Sequence, residues 1–248
     1  MSFPVQGKVE DNKIYYLSSA NRTLALASPY YEVFKKQKKE VLFLYSPLDD
    51  LALSNIETYN GKSLTSAESE DVKDVTDATD GDSKDDTEAL SKEEEDSVVD
   101  YIKSVLGDRV KSVKTTTRLV DSPAVATGHG SSSVQQMMKA IGKQHGVTEA
   151  MMQTTKPHLE VNGSHPIIVG LNTYRHTNPA VADQLTEQLL DNALVSAGIL
   201  DDPRQMLGRI NDLLSVIVAS PTSADAADAA VDAEVELEES SVTIEDKK

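Results

Sequence analysis

The stretch NPAVADQLTEQLLDNALVSAGILDDPRQMLGRINDLLSVIVAS, residues 178 to 220, decides how the chain is read. Asn178 supplies a capping side chain and Pro179 suits the first helical position. Val181, Leu185, Leu189, Leu190, Ala193, Leu194 and Ala197 follow at helical spacing until Gly198 stops the run. Asp201, Asp202 and Pro203 then start a second helix. Met206, Leu207, Ile210, Leu213, Leu214, Ile217 and Val218 lay an apolar stripe along it. Two such helices on a short connector predict an antiparallel hairpin, and a lone hairpin leaves part of each stripe wet. Either a second copy completes an intermolecular four-helix bundle, or the stripes pack on the preceding part of the same chain. Periodicity says that a face is buried and not by what.

The chain has 248 residues, room for one or two domains with real cores. It contains no cysteine, which excludes disulfides, thiolate zinc sites and cysteine nucleophiles. No run of about 18 apolar residues occurs, so no membrane-spanning helix and no membrane partner is expected. Met1 to Lys13 has neither an apolar secretory core nor an arginine-rich presequence pattern. The net charge of −17 is concentrated in two segments. Residues 67 to 96 hold 14 acids and 3 lysines, and residues 221 to 248 hold 9 acids and 2 lysines. The remainder carries 18 acids against 19 bases, so no basic stripe points to a nucleic-acid partner.

Residues 1 to 66 read as a small α/β unit. Ile14 to Leu17 is a short apolar strand, and Ser28-Pro29 caps a helix running through Phe34 into Lys35, Lys36, Lys38 and Lys39. Cations in a last helical turn suit the helix dipole. Val41 to Tyr45 is continuously apolar, as in a parallel-sheet strand covered on both faces. A helix from Pro47 to Thr58 follows, with Leu48, Leu51 and Ile56 turned inward. Tyr59-Asn60-Gly61-Lys62 is a turn, and Ser63 to Ser66 a further strand. The unit is small for independent stability, which hints at a missing neighbour.

Residues 67 to 90 read as an acidic, solvated linker. Residues 91 to 220 form a mixed α+β domain. Ser91 and Glu94 compose a capping box opening a helix whose inner face is Val98, Ile102, Val105 and Leu106, with Gly107 at its end. Val110 to Leu119, Ala124 to Thr127 and His158 to Val161 read as strands. Ser133 to Lys143 is a helix with Val134, Met137, Met138 and Ile141 on one side, and His165-Pro166 opens another. Residues 221 to 248 are an Ala/Asp/Glu tail expected to be disordered.

No catalytic constellation emerges. Gly128-His129-Gly130-Ser131 lacks both the G-x-S-x-G elbow and the G-K-[ST] ending of a phosphate loop. His129, His145, His158, His165 and His176 show no metal-ligand spacing, so neither metal nor catalytic residues are expected. Met137 and Met138 serve either as core filler or, exposed, as an adaptable face for varied apolar partners.

Several blocks resemble one family in order. Ile14-Tyr15-Tyr16-Leu17, Ala20-Asn21-Arg22, Ser28-Pro29-Tyr30-Tyr31-Glu32, Glu40-Val41-Leu42-Phe43 and Tyr59-Asn60-Gly61-Lys62 resemble the end of the middle domain of heat shock protein 90 chaperones. Leu106 to Val110, Arg118 to Ala124, Met138-Lys139-Ala140, His158 to Asn162 and His165 to Ile168 resemble that family's C-terminal domain. Ala197 to Arg204 and Gly208 to Asn211 are similar to its terminal helices, and the Asn-Arg, Ser-Pro-Tyr-Tyr and Asp-Asp-Pro-Arg blocks to its mitochondrial, tumour-necrosis-factor-receptor-associated branch. The resemblance implies a constitutive homodimer through Leu185, Leu189, Leu190, Leu194, Met206, Leu207, Ile210, Leu213, Leu214 and Ile217. It implies that Val134, Met137, Met138 and Ile141 contact unfolded client proteins. It implies ATP and magnesium in the full-length family, but no cofactor and no enzymatic activity in this chain, where the ATP-binding domain and catalytic-arginine segment are not found. Glu245-Asp246-Lys247-Lys248 differs from the Met-Glu-Glu-Val-Asp tail that docks tetratricopeptide co-chaperones, so that docking is not expected and an organellar, mitochondrial setting is. The reading is thus the C-terminal part of an ATP-dependent chaperone. The alternative is a stand-alone dimerising scaffold or dominant-negative partner of the full chaperone.

Overall fold

The computed structural model describes residues 12–69, 72, 90–131, 135, 137, 156–200 and 202–219. The chain divides into two compact units, Met1–Arg204 and Gln205–Lys248.

The first unit holds two sheets. Strand β1 (Lys13–Ser18) buries Tyr15, Tyr16 and Leu17 and is followed by α1 (Arg22–Leu26), whose first turn is capped by the Asn21 side chain. Five residues are too few for periodicity to reveal α1. Ser28 caps a 3-10 turn (Pro29–Tyr31) that runs into α2 (Glu32–Lys36). Strands β2 (Val41–Leu44), β3 (Thr58–Tyr59) and β4 (Lys62–Ser66) complete the sheet, with α3 (Pro47–Ile56) between β2 and β3. The strand order is β2-β1-β4-β3, with β1 parallel to both β2 and β4. Asn60 and Gly61 both have positive φ, as a two-residue type I′ hairpin requires, and they join β3 to β4.

Two expectations are corrected here. The apolar run of β2 is not covered on both faces: β2 lies at the sheet edge, Leu42 is 52% exposed, and β1 is the covered strand. In α3 the leucine face points outward, with Leu48 63%, Leu51 38% and Ile56 52% exposed. Asp50 is buried instead and accepts a hydrogen bond from the Ser131 hydroxyl. A bonded carboxylate thus sets the helix rotation that the hydrophobic spacing had suggested otherwise.

The second sheet begins after α4 (Lys92–Leu106). Its capping box is complete: the Ser91 hydroxyl accepts from Glu94 N and the Glu94 carboxylate from Ser91 N. Val98, Ile102 and Leu106 are buried, and Gly107 ends the helix at φ 51°. Strands β5 (Ser112–Thr115), β6 (Ala124–Thr127) and β7 (His158–Val161) are ordered β5-β7-β6, with β7 parallel to β5 and antiparallel to β6. β5 covers only part of the Val/Thr-rich run Val110 to Leu119. Helix α5 (Pro166–Thr177), capped by the His165 ring, packs on α6 (Pro179–Ser196), capped by Asn178. Helix α6 also packs on β6 and α4. One hydrophobic cluster joins Tyr15, Tyr30 and Phe34 of the first sheet's layer to Val125, Leu159 and Leu190 of the second's. Ala67, Glu68 and Val72 are buried as well, so the start of the acidic stretch is packed, not solvated. The rest of the linker, and the tail at 221 to 248, lie outside the described residues.

The second unit contains α7 (Leu207–Ala219), preceded across the boundary by the 3-10 turn Pro203–Met206. No residue of α7 is buried. No helix among the described residues is long and apolar enough to cross a membrane.

Candidate functional site

The residues expected to touch clients follow β6 in the sequence. Gln135 and Met137 are helical, the Gln135 amide donates to the His129 carbonyl, and Met137 is half-buried. Val134, Met138 and Ile141 lie outside the described residues.

The residues expected to dimerise fall into two groups. Leu189 and Leu190 are buried in the chain's own core, and Leu185 and Leu194 pack partly buried against it. Helix α6 meets β6, α4 and α5 within the chain's own fold. Polar contacts reinforce this seat: Arg109 pairs with Asp191 at 2.6 Å, and the Tyr101 hydroxyl donates to Asp183 at 2.7 Å. In α7 the pattern is opposite. Leu207 and Leu214 are each 53% exposed, Ile217 68% and Val218 86%; Met206, Ile210 and Leu213 are half-buried. An amphipathic helix without a buried residue is an unfilled apolar surface.

Between the two sheets stands a polar junction that sequence inspection missed. Arg118 is 3% exposed; its guanidinium donates to the Ser69 carbonyl at 3.1 Å and to that of Ala67, and lies 5.7 Å from the centre of the Tyr30 ring. Glu160 faces it at 3.9 Å, accepts from Thr127 at 3.0 Å and pairs with Lys114 at 3.3 Å. The Tyr30 hydroxyl donates to the Ala126 carbonyl and stands 3.1 Å from His129 Nε2. Burial, aided by Glu68, holds Tyr30 well above the usual phenol range, so it stays a donor. Burial also lowers Arg118, with Glu160 opposing, and lowers His129 against its backbone hydrogen bonds, which keeps the imidazole neutral at pH 7. Beside this cluster the Glu32 carboxylate accepts from Val120 N at 2.7 Å, Asp121 N at 3.0 Å, Ser122 N at 3.3 Å and Ser122 Oγ at 2.5 Å. The signal for the junction was available. Glu160 stands between Leu159 and Val161 in a strand-like run, and a charge buried there demands a partner such as Arg118. Chemically the junction is a structural clamp, in which the carbonyls of Ala67, Ser69 and Ala126 and the Glu160 carboxylate meet donors of the same chain.

The model of the family described as Hsp90 protein matches residues 5–247. The TNF receptor-associated protein 1 homolog, mitochondrial, of Dictyostelium discoideum is 39% identical over 213 residues, 85% of this chain and 29% of that protein. Heat shock protein 75 kDa, mitochondrial, of Rattus norvegicus is 38% identical over 204 residues, 81% of this chain and 28% of that protein. Chaperone protein HtpG of Desulfotalea psychrophila is 35% identical over 213 residues, 85% of this chain and 34% of that protein. The chain therefore spans about a third or less of the length of the curated relatives it matches. With a family model covering nearly all of it, the chain belongs to the Hsp90 protein family.

Proposed function

We propose that this chain is a dimerising and client-holding part of a chaperone, with the α7 stripe as the seam of an intermolecular helical bundle. The observation that carries the reading is α7 itself: an apolar stripe at helical spacing in which no residue is buried. Leaving such a stripe wet is unfavourable by about 25 cal/mol per Å² of apolar surface, and a second copy offers the same stripe in a self-complementary arrangement. In this reading α6 is not part of the seam, because its leucines are taken up by the chain's own core.

Client holding is assigned to the segment around Met137 and Met138, where unbranched thioethers suit varied apolar sequences. Neither site performs covalent chemistry, so the chain's own role is binding, and any ATP and magnesium chemistry of the longer relatives is assigned elsewhere. The location proposed is mitochondrial, after the relatives from Dictyostelium and rat, although a bacterial relative is nearly as similar. The test of the reading is sedimentation of the whole chain beside Leu214→Asp. A dimer that becomes monomer supports it, and a monomeric wild-type chain rejects it.

A further inference from the structure

The edge of the first sheet carries a feature that dimerisation and client holding do not use. Among the described residues β2 pairs only with β1, so the backbone donors and acceptors of its outer side have no strand partner. Natural edges are blunted by proline, by charge within the strand or by a cover. The Val-Leu-Phe-Leu sequence of β2 has none of the first two, and Leu42 in its middle is 52% exposed. Along this strand runs an open groove of about 560 Å³. Its floor is Phe43, held edge-to-face by Tyr31 at 5.2 Å with the Arg22 guanidinium 5.7 Å from the ring centre. Its rim is basic: Arg22, Lys35, Lys38 and Lys39 line it, against the single carboxylate of Glu40.

The helix dipole accounts for only part of that charge. Lys35 lies in the last turn of α2, but Lys38 and Lys39 follow the cap and Arg22 comes from α1. Lys38 also holds a left-handed backbone, φ 55°, uncommon for a side chain other than glycine or asparagine. Among the described residues neither Lys35 nor Lys38 is in an ion pair. A chain of net charge −17 therefore presents a local concentration of positive charge beside an open strand edge.

We propose that this edge takes an extended acidic segment of a partner protein as an added strand. The segment's main chain pairs with β2, as in strand-addition recognition. Its side chains alternate between two faces, so carboxylates reach the lysines and Arg22 while an apolar residue covers Leu42. Charge complementarity sets the rate of encounter and its dependence on salt, and the backbone ladder sets orientation.

Fluorescence anisotropy of the full chain tests this, using a short labelled peptide alternating aspartate and valine. Three comparisons accompany it: a lysine–valine peptide, the acidic peptide with its central valine replaced by proline, and inorganic phosphate as competitor. The acidic peptide binds, the basic one does not, and affinity falls as salt rises. The proline peptide and the Lys35→Glu/Lys38→Glu variant each weaken binding by about tenfold or more. Both lysines are exposed, and an unchanged melting temperature certifies that the variant is folded. Equal binding of the proline peptide overturns strand addition. Complete displacement by phosphate at the concentration of peptide carboxylates makes the groove a simple anion site and overturns the proposal. Absence of any anisotropy change with the acidic peptide does so as well.

Discussion

Arg118→Ala removes the centre of the clamp between the two sheets. The guanidinium is almost fully buried, donates to two carbonyls at Ala67 and Ser69, and faces Glu160 at 3.9 Å. Removing one member of a buried charge pair costs about 3 to 5 kcal/mol, because the other charge is left desolvated and unpaired. Two features pull the value to the lower end. Glu160 retains Lys114 at 3.3 Å and Thr127 at 3.0 Å, and Arg118 Nε is itself buried without a hydrogen-bond partner among the described residues. The expected loss is about 3 kcal/mol. Lys114→Ala is the control: its side chain is 39% exposed, so its ion pair is screened and its removal costs under about 1 kcal/mol. Urea denaturation measures both, as a lower midpoint at unchanged slope. The two carbonyls that lose their donor belong to Ala67 and Ser69, so hydrogen exchange should rise at the start of the acidic stretch in Arg118→Ala alone. Equal midpoints for the two variants would refute the clamp.

Three further outcomes follow from other residues. Burial lowers His129 below its ordinary value of 6.5, so folded and unfolded chains are both neutral above that pH and the full stability is present. As pH falls through 6.5 the unfolded chain takes the proton first and stability declines; His129→Asn should remove that slope in denaturation curves taken across pH 7 to 5.5, and an identical slope in the variant would be contrary. Met137→Gln with Met138→Gln should leave the melting temperature nearly unchanged and weaken suppression of a client's aggregation, whereas a large drop in melting temperature with unaltered holding would return both residues to the core. Calorimetry with ATP and magnesium should show no heat of binding to this chain, and a micromolar site would contradict the assignment of nucleotide chemistry elsewhere.

Local signals in the sequence proved legible where one or two residues decide a backbone. The Ser91–Glu94 box, the Asn178-Pro179 and Ser28-Pro29 starts, and the positive-φ pair Asn60-Gly61 all stand where their chemistry put them. What periodicity could not decide was which partner a face meets. Leu189 and Leu190 carry the same helical spacing as Leu214 and Ile217, yet the first pair is buried at home and the second exposed. The outward rotation of α3 follows from Asp50 meeting Ser131, 81 residues away, which no local window contains. Glu32 finds its three backbone donors 88 to 90 residues on, and the edge position of β2 depends on strand order, not on its composition. The expected client surface remains a reading of residue type, since Val134, Met138 and Ile141 lie outside the described residues.

The central claim is self-association through α7, and sedimentation equilibrium at micromolar concentration tests it most directly. Leu214 is 53% exposed on a helix with no buried residue, so Leu214→Asp leaves the protomer's core untouched and places a charge in the seam alone. A charge without a partner there costs several kcal/mol, about two or more orders of magnitude in the dimerisation constant. The account predicts twice the chain mass for the wild type and a single chain mass for Leu214→Asp, at equal melting of the monomeric fold. A wild-type chain that sediments as a monomer, or a Leu214→Asp variant that remains a dimer, would contradict it.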